Sequence, residues 1–162
     1  MSKPSKNSAP DAIKSGTRTF FVTSKTTEGK ALLQSDRMAT LFIEVLRSYV
    51  SQKKFVVHEF VVMRNHAHLL ISVERDMTIE MAMQLIKGNF SFQARKEFGL
   101  RGWIWQRGFS EVRIFDRESY LKYKTYIEQK PVEAGLVPSA EEYLYCSLYL
   151  RRQKAAKTAG RG

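Results

Sequence analysis

The sequence predicts an α+β protein: a ferredoxin-like four-stranded antiparallel sheet, βαββαβ, with an added C-terminal helix. Two observations carry the expectation. β-branched and aromatic runs alternate with helical stripes in the order strand, helix, strand, strand, helix, strand, helix. The two middle runs are separated only by Arg64-Asn65, a turn too short for anything but an antiparallel hairpin. The chain has 162 residues, enough for one domain with its own core, and shows no internal repeat or second domain.

The elements follow in order. Thr19-Phe20-Phe21-Val22-Thr23 is β-branched and aromatic and reads as a strand, with a loop around Gly29. From Asp36 to Gln52, Met38, Leu41, Phe42, Val45, Leu46, Tyr49 and Val50 recur at 3-4 spacing, one apolar stripe with Ser35 or Asp36 as its cap. Phe55 to Met63 and His66 to Val73 form the hairpin. Thr78 caps a second helix to about Glu97, ended by Gly99. Trp103 to Phe115 reads as an edge strand with an irregular entry at Gly108. Arg117 to about Gln129 is the last helix, which Pro131 ends or kinks.

Charge points to a polyanionic partner. The formal net charge is +11. Much of it sits in two segments: Lys3, Lys6, Lys14 and Arg18 against Asp11 alone, and Arg151, Arg152, Lys154, Lys157 and Arg161 with no acid. Residues 1–17 and 151–162 read as disordered basic tails around a domain at 18–150. Such tails hold nucleic acid by releasing counterions, although they also serve simply as solubilising tails. No stretch approaches the roughly 18 apolar residues of a membrane span. The single cysteine, Cys146, excludes an intrachain disulfide. A cytoplasmic protein without a membrane partner is expected.

Two constellations carry chemistry. Along a strand, His66, His68, Leu70 and Ser72 share one face, and the wholly apolar Ala67, Leu69, Ile71 and Val73 share the other. The apolar set is the core face, so the imidazoles are neighbours on the opposite, accessible face. Histidines at i and i+2 can chelate a divalent metal, or stand as two satisfied surface histidines. In the last helix Tyr120, Ile127 and Pro131 cluster towards the core with Tyr123 flanking them, whereas Tyr126 lies on the polar side near Lys122 and Lys130. A phenol, with an ordinary pKa near 10, becomes a nucleophile only with help from a metal or a cation. A surface tyrosine making one hydrogen bond is the alternative. Between Trp103 and Arg113, aromatics and cations interleave (Trp103, Trp105, Arg107, Phe109, Arg113), a pattern that stacks unpaired bases and neutralises phosphates. At least one of the two tryptophans is expected in the core.

Asn65-His66-Ala67-His68-Leu69-Leu70 resembles the histidine-hydrophobe-histidine motif of HUH endonucleases. Trp105-Gln106-Arg107-Gly108-Phe109 and the run from Tyr126-Ile127-Glu128-Gln129-Lys130-Pro131 to Val137 resemble the matching blocks of single-tyrosine HUH transposases, in particular the REP-associated tyrosine transposases, the domesticated branch. The resemblance runs from about Thr19 to Leu148. It implies that Tyr126 attacks a phosphodiester of single-stranded DNA, leaving a 5′-phosphotyrosine and a free 3′-OH. It implies that His66 and His68 bind Mg²⁺ or Mn²⁺, which polarises the scissile phosphate. It implies hairpin-forming palindromic repeats with a short flanking tetranucleotide as substrate, and a monomer or weak dimer. Arg64, Trp105, Arg107, Arg113, Lys122 and Lys130 are the candidate DNA contacts. There are two departures. Lys130 stands where Asn or Gln is usual four residues after the tyrosine, and an ammonium has no lone pair for a metal. Gln129, beside it, is the remaining candidate donor, about 100° away around the helix. Arg64 stands where Pro is common, which adds a positive charge near the phosphate. The alternatives are a non-catalytic DNA-binding protein of this fold, a mobile single-tyrosine transposase that trades its tyrosine helix between subunits, and an RNA-binding module of the same sheet topology.

Overall fold

A computed structural model describes residues 16–160. The elements are β1 (Arg18–Lys25), α1 (Asp36–Ser51), β2 (Val56–Val62), β3 (His66–Val73), α2 (Ile79–Phe98), β4 (Ser110–Ile114), α3 (Arg117–Glu133) and α4 (Ser147–Ala159). The four strands form one antiparallel sheet in the order β2-β3-β1-β4, as the ferredoxin-like expectation requires.

Local chemistry sets the helix starts. Ser35 Oγ accepts from the Met38 N–H at 3.3 Å, Thr78 Oγ1 from Met81 at 3.0 Å, and Asp116 Oδ1 from Ser119 at 2.7 Å, each satisfying one of the orphan donors of a first turn. Gly99 closes α2 at φ 67°, the left-handed position that a side chain disfavours.

The sheet separates two cores. On one face Ala67, Leu69, Ile71 and Val73 pack with Phe42 and Leu46 of α1 and Met83, Ile86 and Phe90 of α2. On the other, Phe21, Val61, Leu70 and Ile114 pack with Tyr120 and Ile127 of α3. The His face of β3 is therefore not open. Leu70 and Ser72 are buried, and α3 roofs the face.

Three expectations need correction. The edge strand is short, Ser110–Ile114, while 103–109 is irregular apart from a bridge between Thr26 and Trp105. Lys87 Nζ donates to the Gln106 and Gly108 carbonyls (3.2 and 2.8 Å), which gives this backbone partners outside any sheet. Second, α3 continues past Pro131 to Glu133. The proline ring is buried on the Tyr120–Ile127 stripe, and only the end of the helix lies beyond it, so few backbone bonds are at stake. Third, residues 151–159 of the expected C-terminal tail are helical, and 161–162 lie outside the described residues. The helical segment continues α4, a run of Arg, Gln, Lys and Ala with high helix propensity, and it is anchored at its start by Arg151. Residues 1–15 of the expected N-terminal tail lie outside the described residues. Among the described residues, no helix is long and apolar enough to cross a membrane.

Candidate active site

The site forms where β3 begins. The register places Thr23 opposite His68 and Lys25 opposite His66, on the face roofed by α3. Tyr126 reaches down from α3: its ring lies edge-on to His68 with 5.3 Å between centroids, and edge-on to Phe21 at 5.6 Å. The two imidazoles are 4.8 Å apart. Around them is a pocket of about 610 Å³, into which Thr23, Lys25, Asn65, Gln106, Tyr126 and Lys130 also project.

Each imidazole is held by one ring nitrogen. Asn65 Oδ1 can only accept, so at 2.7 Å it takes the His66 Nδ1 proton and leaves the Nε2 lone pair free. His68 Nδ1 is 2.8 Å from Thr23 Oγ1, a hydroxyl able to accept in the same way. His68 Nε2 is buried and has no hydrogen-bond partner. Burial lowers the His66 pKa to about 4, with Lys130 and Lys25 adding to the effect. Burial lowers the His68 pKa to about 3, helped by His66, Lys130 and Lys25. Both rings are thus neutral at physiological pH, the form that binds metal. Two neutral nitrogens, one of them orphaned, fit a divalent cation whose other positions go to water and phosphate oxygen. Among the described residues, no group of three or more His, Cys, Asp or Glu offers a fuller ligand set.

Lys130 enters the same pocket from one turn beyond Tyr126. Its Nζ donates to the Tyr126 phenolic oxygen at 3.4 Å. Gln129 is exposed and outside the pocket, so it does not join His66 and His68 as expected. The extension of α3 through Pro131 keeps it on the outer side of an intact helix.

The expected DNA contacts divide. Trp105 is 7% exposed, packed against Phe42 and Phe90, with its indole N–H on the Lys87 carbonyl at 3.2 Å. It is a core residue and cannot stack a base here. Trp103 is 80% exposed and is the available indole. Arg113 pairs with Phe20 across β1–β4, on the face opposite the histidines, and stacks on Phe20 and Phe115. Lys122 is exposed and lies over the Tyr123 ring, away from the pocket. Arg64 and Arg107 are exposed, each next in sequence to a residue that lines the pocket, Asn65 and Gln106. Sequence reasoning did not single out Thr23, Lys25 or Gln106 as site residues. Thr23 and Lys25 share a face with Phe21 along β1, but only the β1–β3 register shows which histidine each one faces.

The family described as "Transposase IS200 like" matches residues 21–130, a span that includes the His pair, Tyr126 and Lys130. The chain belongs to this family of transposases, DNA-cleaving enzymes that generally depend on a metal. Among solved structures it is similar to a REP-associated tyrosine transposase bound to a REP hairpin, with 25% identity, a TM-score of 0.65, and 92% of this chain and 84% of that chain covered. It shares its fold with a candidate transposase from Deinococcus radiodurans R1, with 17% identity, a TM-score of 0.51, and coverage of 75% and 95%. No curated protein sequence matches it.

Proposed function

We propose that this protein is a REP-associated tyrosine transposase that nicks and transfers single-stranded DNA beside hairpins formed by palindromic repeats. Tyr126 is the nucleophile, and His66 and His68 hold Mg²⁺ or Mn²⁺. The observation that carries the reading is the contact of Tyr126 with His68 within one chain, 5.3 Å between rings. The similar REP-associated transposase, bound to a REP hairpin, supports the choice of substrate.

The chain's own residues account for most of the chemistry. Asn65 and Thr23 hold the imidazoles by Nδ1, which aligns them before any ligand arrives. A divalent ion bound there supplies Lewis-acid polarisation of the scissile phosphate. Phe21, stacked on His68 and edge-on to Tyr126, packs the phenol beside the pair. The Tyr126 oxygen attacks phosphorus, the bond to the 3′-oxygen breaks, and the 5′ side stays on Tyr126. Arg64, Arg107 and Trp103 are exposed, suited to phosphates and to one unpaired base. That Tyr126 and the histidines meet within one chain supports a monomer or weak dimer over an enzyme that exchanges its tyrosine helix between subunits.

The test is incubation with labelled hairpin oligonucleotides drawn from the source genome's repeats, in Mn²⁺, followed by a denaturing gel. A covalent adduct is expected with the wild type. It should be absent with Tyr126→Phe and with EDTA. Tight binding with no adduct would overturn the catalytic reading and leave a DNA-binding protein.

A further inference from the structure

The pocket contains more positive charge than a metal site needs. Lys25 and Lys130 both reach into it, and no carboxylate does. Among the described residues, Lys130 has no salt-bridge partner; its contact is the Tyr126 hydroxyl, with Nζ 5.5 Å from the ring centroid. A divalent cation beside an ammonium is repelled, whereas a phosphodiester beside it is attracted. Two imidazole nitrogens and two ammoniums therefore define a pocket whose preferred guest is an anion.

We propose that Lys130 is a catalytic residue that holds the Tyr126 oxygen and a non-bridging oxygen of the reacting phosphate, and that it keeps the His pair a weak metal site. This rests on the assignment of Tyr126 as nucleophile. Lys130 remains an ammonium throughout. The phenol proton passes to water as the oxygen closes on phosphorus, and Lys130 donates to the negative charge that develops there. The phosphorus–O3′ bond breaks, and the departing 3′-oxygen takes a proton from water, so the net transfer is one proton from Tyr126 to the 3′-hydroxyl. The 3.4 Å contact shortens once charge develops on the reacting oxygens. One turn of helix between the two residues keeps ammonium and phenol together through the reaction.

Two measurements test this with Lys130→Gln, Lys130→Met and Lys130→Arg. The first needs no DNA: Mn²⁺ binding to the protein alone, with free ion read by electron paramagnetic resonance. Lys130→Gln and Lys130→Met should bind Mn²⁺ at least about tenfold more tightly than wild type, and Lys130→Arg about equally. Equal affinity in all four proteins would overturn the charge argument. The second is single-turnover adduct formation at saturating Mn²⁺. Lys130→Met and Lys130→Gln should be slower by about a hundredfold, and Lys130→Arg should stay within about tenfold of wild type. Neutral variants as fast as wild type would overturn the catalytic role while leaving the nicking reading intact. Absence of adduct from the wild type itself would instead sink the nicking reading and this role with it. Lys130→Arg, which keeps length and charge, separates a folding defect from a loss of charge.

Discussion

Single positions decide what each side chain can do here, and the two tryptophans show it best. Trp103 and Trp105 are two residues apart, yet one is 80% exposed and the other 7%. In a regular strand they would have shared a face. The irregular backbone of 103–109, held by Lys87, separates them, and no local pattern announces it. Trp103→Ala should leave the melting temperature unchanged and weaken single-stranded DNA binding by about 1–3 kcal/mol, as read by fluorescence anisotropy. Trp105→Ala should cost about 3–5 kcal/mol of stability in urea. The reverse pattern would mean that the indoles are wrongly placed. Thr23 offers a finer case. Thr23→Val keeps shape but removes the partner of His68 Nδ1, so Mn²⁺ affinity should fall about 10- to 100-fold with the fold intact by circular dichroism. An unchanged affinity would show that the hydroxyl does not orient the ring. His66, His68 and Tyr126 were legible because strand alternation and helix periodicity are local. Thr23 and Lys25 were not, because pairing between distant strands is needed to set them opposite the histidines.

At the level of elements, α3 matters most, and a buried acid helps hold it. Glu59 of β2 is 2% exposed. The Ser147 hydroxyl donates to its Oε2, the Arg151 guanidinium lies 2.9 Å from its Oε1, and Lys124 Nζ lies 3.9 Å from the same oxygen. Lys124 also pairs with Glu128 at 2.8 Å. Lys124 and Glu128 flank Tyr126 by two residues on either side, so this network fixes the rotation of the helix that carries Tyr126. It also explains why 151–159 is helical rather than a loose tail: Arg151 compensates a charge that burial would otherwise penalise. Composition alone could not reveal this, because Glu59 looks like a surface residue until the β2–β3 register shift between Val57 and Glu59 sets it opposite Leu70, on the face that α3 covers. Arg151→Ala should destabilise the protein by about 1–3 kcal/mol in urea, since Lys124 and Ser147 still serve Glu59. A change within error would show that Arg151 is only a surface cation.

For the whole molecule, the order of elements was readable because each carries its own hydrophobic period, and the ferredoxin-like sheet follows from that order with few alternatives. What the sequence left open was which body covers the second sheet face. That body is α3, and it brings Tyr126 and the histidines together within one chain. Mixing Tyr126→Phe with a His66→Ala, His68→Ala double variant should therefore restore no adduct; restored activity would require helix exchange between subunits. Covering that face also makes the fold sensitive to acid. His58 lies at the β2 irregularity with Nε2 2.7 Å from Ser72 Oγ, and burial lowers its pKa from 6.5 to about 4. His66 and His68 are lowered in the same direction, to about 4 and about 3. In the unfolded chain all three take up protons near 6.5, while in the folded chain they stay neutral until the pH falls to about 4. Between these values the unfolded state binds more protons, so stability falls as pH decreases and is unaffected by these groups above about 7. The melting temperature should be level from pH 7 to 8 and decline steadily from about 6.5 to 4.5. His58→Phe, if it folds, should remove part of that slope without touching the pocket. A melting temperature that held level or rose down to pH 4.5 would mean that the imidazoles are protonated in the folded state, and a protonated pair could not serve the metal.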